Sequence, residues 1–136
     1  MVIISLLIFQ IFLPRFSKAQ TSVAGGSVSG TWTLANSPYL VQGSIMIPDG
    51  QTLAIEPGVR VEFQGTYKLL VLGRLLAIGT ATDTIVFTAA NITNGWRGIR
   101  FDNTAATNDS SKFYYCKVIY SKANGLSPED MGGGFQ

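Results

Sequence analysis

Apolar and polar positions alternate along most of this chain in bursts too short for helices. The stretch "QTLAIEPGVRVEF" at 51–63 shows the pattern: Leu53 and Ile55 share one face of an extended segment, and Val59, Val61 and Phe63 share one face of the next. Glu56-Pro57-Gly58 breaks the run. Proline holds φ at about −65° and glycine accepts positive φ, so the pair suits the centre of a type II turn. Equivalent alternation predicts strands over 28–34, 39–47, 51–55, 59–63, 67–72, 74–78, 84–89, 97–102 and 112–120. No comparable window carries a capped 3.6-residue period, so the predicted class is all-β.

The order in which like segments return decides how the strands are arranged. "SIMI" at 44–47 is echoed by "LLVL" at 69–72, "TLAI" at 52–55 by "LLAI" at 75–78, and "VRVEF" at 59–63 by "DTIVF" at 83–87, offsets of 25, 23 and 24 residues. A repeat of this size marks a solenoid, in which each coil gives one strand to each of several parallel sheets and buries its apolar face on its neighbours. The expectation is about three to four turns, with Leu53 stacked near Leu75 and Phe63 near Phe87. "GIRF" (98–101) and "KVIY" (117–120) continue the pattern less regularly, and the polar stretch 103–111 between them is expected to be a mobile loop. The alternative is a β-sandwich in which 44–47 and 51–55 form a hairpin across Pro48-Asp49-Gly50.

The two ends read differently from the middle. Residues 1–19, "MVIISLLIFQIFLPRFSKA", have the apolar run, the proline and the small-x-small site of a secretory signal peptide, although their basic residues, Arg15 and Lys18, follow the run rather than precede it. Residues 20–30 are small and polar and are expected to be a flexible lead. Residues 31–136 are expected to be the N-terminal turns of the solenoid, truncated at the C-terminus, where the glycines of "EDMGGGFQ" lead into the start of another apolar segment. With 10 basic and 8 acidic residues the net charge is +2, and without Arg15 and Lys18 it is zero. A neutral chain with no basic cluster gives no footing for nucleic acid, and the mature segment has no membrane span. A single cysteine and no histidine exclude an internal disulfide, a zinc site and a classical hydrolytic triad.

The series "SPYLVQGSIMIPDGQTLAIEPGVRVEFQG", "LLVLGRLLAIGTATDTIVFT", "GWRGIRF" and "FYYCKVIYSKA" resembles the opening turns of right-handed parallel β-helix proteins of the pectate-lyase-like superfamily, as found in large exported bacterial proteins. The resemblance spans roughly 30–125 and implies a fold more than an activity, since that superfamily holds lyases, hydrolases, adhesins and proteins without known catalysis. Its lyases use acidic residues to hold calcium and an Arg or Lys to take a proton beside a uronate carboxylate. The matching local pair here is Arg100 and Asp102 on one face of "WRGIRFD". A basic and an acidic residue two apart are more often a solvated pair.

Asp49, Asp83, Asp102 and Asp109 lack calcium-loop spacing, so no cofactor or metal site is read from them, with calcium left as the alternative that stacking of the coils could create. Trp96, Tyr114 and Tyr115 are the candidates for stacking on a sugar. Against this, tryptophan is usually buried, and one of two adjacent tyrosines should face inward. Cys116 reads as a small apolar residue. Asn91-Ile92-Thr93 and Asn108-Asp109-Ser110 match the N-glycan acceptor pattern, relevant in a eukaryotic source. The reading that results is a secreted or cell-surface module, without catalysis of its own, that binds a polysaccharide or surface component. The alternative is part of a lyase or hydrolase acting on uronate polymers.

Overall fold

A computed structural model describes residues 14, 19–102 and 104–122; apart from Pro14 and Ala19, the expected signal peptide lies outside the described residues, as does the tail from 123. Thr21–Val23 (β1), Gly26–Ser27 (β2) and Gly30–Trp32 (β3) are followed by Tyr39–Val41 (β4), Ile45–Ile47 (β5), Thr52–Ile55 (β6) and Arg60–Phe63 (β7). Then come Leu69–Val71 (β8), Arg74–Ile78 (β9), Ile85–Ala89 (β10), Ile99–Phe101 (β11), Lys112–Tyr114 (β12) and Cys116–Val118 (β13). Each strand pairs in parallel with the strand three places further on, which produces the sheets β1-β4-β7-β10-β13, β2-β5-β8-β11 and β3-β6-β9-β12. This is an all-β arrangement of parallel sheets compatible with a parallel β-helix. The hairpin alternative fails, because β5 and β6 flank Pro48-Asp49-Gly50 yet belong to different sheets.

Alternation explains the interior. Ile45, Leu69 and Ile99 stack in one column, Leu53 and Leu75 in another, and Tyr39, Val61 and Phe87 in a third, all buried. Each such side chain contributes about 1.5–3 kcal/mol on leaving water. The expected Leu53 and Leu75 pairing is present, but the Phe63 and Phe87 pairing is not: Phe87 lies beside Val61, while Phe63 lies beside Ala89. The corner after β9 (79–84) is longer than the one after β6 (56–59), which sets β10 on β7 two residues from the expected register and keeps both phenylalanines inward. Phe63 stacks instead on Trp96, with ring centroids 4.1 Å apart.

The break at Glu56-Pro57-Gly58 is a corner. Gly58 has φ +80°, the Val59 N–H donates to the Glu56 carbonyl at 3.3 Å, and the chain passes from β6 into the neighbouring sheet at β7. The predicted strand 39–47 is likewise divided by the corner 42–44, and 112–120 by Tyr115. The lead expected over 20–30 is instead paired. β1 and β2 add to β4 and β5, with the Gln42 N–H bonded to the Val23 carbonyl at 2.8 Å, because small residues suffice where a strand needs only backbone partners. No helix among the described residues is long and apolar enough to cross a membrane.

Candidate functional site

The corners joining the second sheet to the third sit one above another, and the middle one is very short. Only Leu72-Gly73 connects β8 to β9, and the Leu72 and Gly73 N–H groups both donate to the Ile47 carbonyl, at 2.9 and 3.0 Å. The described part of the next corner, residues 104–111, is long and polar and folds back over that short one. Asn108 holds it there. Its amide nitrogen donates to Asp49 Oδ1 at 2.7 Å and to the Leu72 carbonyl at 3.2 Å, and its Oδ1 accepts the Gly50 N–H at 3.2 Å. One side chain thus ties three successive corners.

Arg74 Nε donates to the Ser110 carbonyl at 3.1 Å, and the Leu75 N–H donates to Ser111 Oγ at 2.9 Å. The stretch expected to be mobile is therefore anchored at 108, 110 and 111. Beneath it lies an open hollow of about 370 Å³ whose lining includes Gly73, Phe101, Thr104, Asn108, Asp109 and Ser110. It combines one aromatic ring with hydroxyl, amide and carboxylate groups.

The candidates read from the sequence are not gathered there. Arg100 and Asp102 pair with each other at 3.4 Å on the outer face of β11 and just after it. Such a partly exposed pair contributes about 0–1 kcal/mol. Among the described residues, stacking brings no three acidic, cysteine or histidine groups together as a metal cluster. Trp96 is 1% exposed, lies between Phe63 and Phe87, and donates its indole N–H to the Ile119 carbonyl at 2.8 Å. It has no free face to offer a sugar.

Tyr114 and Tyr115 both point outward, at 56% and 60% exposure. The one-in, one-out expectation fails because Tyr115 has φ +49°, a left-handed corner conformation that interrupts the alternation. Tyr120 repeats the device with φ +58° and is also exposed. All three backbones are held from the preceding coil: the tyrosine carbonyls accept the N–H groups of Gly79, Ile85 and Trp96 at 2.8 to 3.1 Å. Three exposed phenol rings are thereby presented along β12, β13 and their corners on a fixed scaffold. Neither the clamp at Asn108 nor Tyr120 was singled out from the sequence. The sequence marks Asn108 as a glycan-acceptor position in a long polar corner, which does not reveal what its side chain reaches.

Cys116 is half-buried on β13, its Sγ 3.2 Å from the Ala77 carbonyl. Burial pushes its thiol up, offset in part by a backbone hydrogen bond at Tyr114. The protonated thiol is therefore the form the fold favours. This contribution to stability is complete below the ordinary thiol range and is lost as pH rises through the raised value. Alkylation at pH 8 is expected to be several-fold slower in the folded protein than in denaturant, with the profile of rate against pH displaced upward. Equal rates in the two states would place the thiol in solvent.

Comparison with known proteins adds a partial likeness. No protein-family model matches the chain, and no solved structure matches it. Among curated proteins the chain is 36% identical over 83 residues to "Protein bark beetle" of Drosophila melanogaster, a match covering 60% of this chain and 3% of that protein. The relative is an animal protein, whereas the resemblance read from the sequence is to exported bacterial ones.

Proposed function

We propose that the chain forms coils of a right-handed parallel β-helix of the pectate-lyase-like kind, in an exported protein, and that its role is to bind a polysaccharide or cell-surface component without turnover. The observation that carries this reading is the set of exposed rings, Tyr114, Tyr115 and Tyr120, held outward by backbone bonds to the coil beneath. The handedness is supported by the strong preference of parallel crossovers for the right hand, imposed by strand twist. A binding role is favoured over catalysis because Arg100 and Asp102 are engaged with each other and, among the described residues, no acidic cluster accompanies them.

The test is titration with pectate, other uronate polymers and neutral glycans, with and without calcium. Each of Tyr114→Ala and Tyr115→Gly is expected to weaken binding about five- to tenfold, from ~1 kcal/mol per aromatic face. Tyr115→Gly is the sharper variant, since glycine adopts φ +49° without strain and the fold should be kept or strengthened. Calcium-dependent release of unsaturated product, abolished by Arg100→Ala, would establish a lyase instead.

A further inference from the structure

The two glycan-acceptor triplets occupy similar polar corners but differ in what their asparagine nitrogens do. Asn91 opens the corner between β10 and β11, where residues 90–94 are all exposed. Its Oδ1 accepts the N–H groups of Thr93 and Asn94, each at 3.0 Å, and its own carbonyl accepts the Gly95 N–H at 2.8 Å. The side-chain oxygen is thus committed to the turn, while among the described residues the amide nitrogen donates to nothing. Below this corner the chain is secured by the buried Trp96, and Lys122 Nζ donates to the Thr93 carbonyl at 2.5 Å. A substituent on Asn91 would leave all of these contacts intact.

Asn108 is the opposite case. Both amide hydrogens are used, one toward Asp49 and one toward the Leu72 carbonyl. Attaching a sugar removes one of those hydrogens and places a bulky ring between corners that the side chain holds together.

We infer that Asn91 is an N-glycosylation site of the folded protein and that Asn108 is not, its triplet serving as a structural clamp. This rests on the export reading, because the donor is a lipid-pyrophosphate-linked oligosaccharide of the secretory pathway. In the transfer, the Asn91 amide nitrogen attacks C1 of the terminal sugar, and a C–N bond forms as the C1–O bond to the lipid pyrophosphate breaks. The pyrophosphate leaves with the electron pair, the amide proton passes to the transferase, and nothing is oxidised or reduced. The glycan would project from a corner, the part of a solenoid that accepts added bulk without disturbing stacked strands. It would also shield Ile92, which is 57% exposed.

The experiment expresses the full chain in insect cells in two forms, one with its own first 19 residues and one with those residues replaced by a proven secretory leader. Folded secreted protein is then analysed by amidase digestion and peptide mapping. The expected result is one glycan, on Asn91. Thr93→Ala should abolish it while keeping the Asn91 turn, and Ser110→Ala, which destroys the second triplet without touching the Asn108 amide, should change nothing. An unmodified Asn91 under the proven leader, or a glycan on Asn108 in the folded fraction, overturns the inference. Modification of Asn91 under the proven leader alone would instead refute the export reading and leave the site standing.

Discussion

Gly73→Ala is expected to cost more than about 3 kcal/mol and to abolish or greatly reduce the yield of folded protein. A Cβ at Gly73 falls well inside contact distance of two backbone carbonyl oxygens, those of Pro48 and Gln51, in the corner below. Neither can retreat freely. The Gln51 carbonyl accepts the Arg74 N–H at 2.9 Å, the Pro48 carbonyl accepts the Gln51 N–H at 3.1 Å, and Gly73 itself donates to Ile47. Relief of the clash therefore requires separating β6 from β9, whose pairing holds Leu53 on Leu75.

Gly50 offers the internal comparison. It has φ +75° and open space around its missing Cβ, so Gly50→Ala carries only the left-handed backbone cost of about 1–2 kcal/mol. Urea unfolding of both variants gives the measurement. A Gly73 variant no less stable than the Gly50 variant would mean that the two-residue corner does not lie against its neighbour.

Trp96→Ala is expected to lose about 3–5 kcal/mol, the range for deleting a fully buried large aromatic. The ring fills space between Phe63 and Phe87, and its indole N–H satisfies the Ile119 carbonyl, so truncation leaves both a cavity and an unpaired acceptor. Trp96→Phe separates the two contributions. It keeps most of the stack and loses the hydrogen bond, for an expected ~1–3 kcal/mol. Because each coil contacts chiefly its neighbours, hydrogen exchange should rise first in β11 and β13 and least in β4 and β5. Unchanged unfolding midpoints together with lost glycan binding would return Trp96 to the role of a sugar platform.

Particular residues show how far the sequence could be read. The recurrence of "TLAI" as "LLAI" is visible in the letters, and it correctly leads to stacked parallel strands in place of a hairpin. Its literal offset is 23, yet Leu53 pairs with Leu75 at 22, and "SIMI" on "LLVL" suggests 25 where Ile45 pairs with Leu69 at 24. Strings of apolar letters match equally well one residue out, whereas a pleated strand tolerates only shifts that keep side chains on their own face. The site was less legible still. Trp96 looks like a ligand aromatic beside Arg97 and Gly98, and only its burial under Phe63 and Phe87 assigns it to the core.

Alternation with period two, turn residues at the corners and a repeat near 24 were enough to specify an all-β chain coiled into parallel sheets, and to name the inward residues of β6 and β7. These are local properties, set by which side of a pleat each residue occupies and which backbone angles Pro and Gly allow. The register between coils, the stacking of Phe63 on Trp96, the outward turn of both Tyr114 and Tyr115, and the reach of Asn108 to Asp49 and Leu72 came only with the folded chain. Each depends on how many residues a corner takes to turn. That number is settled by contacts between segments 22 to 59 residues apart, which no local pattern encodes.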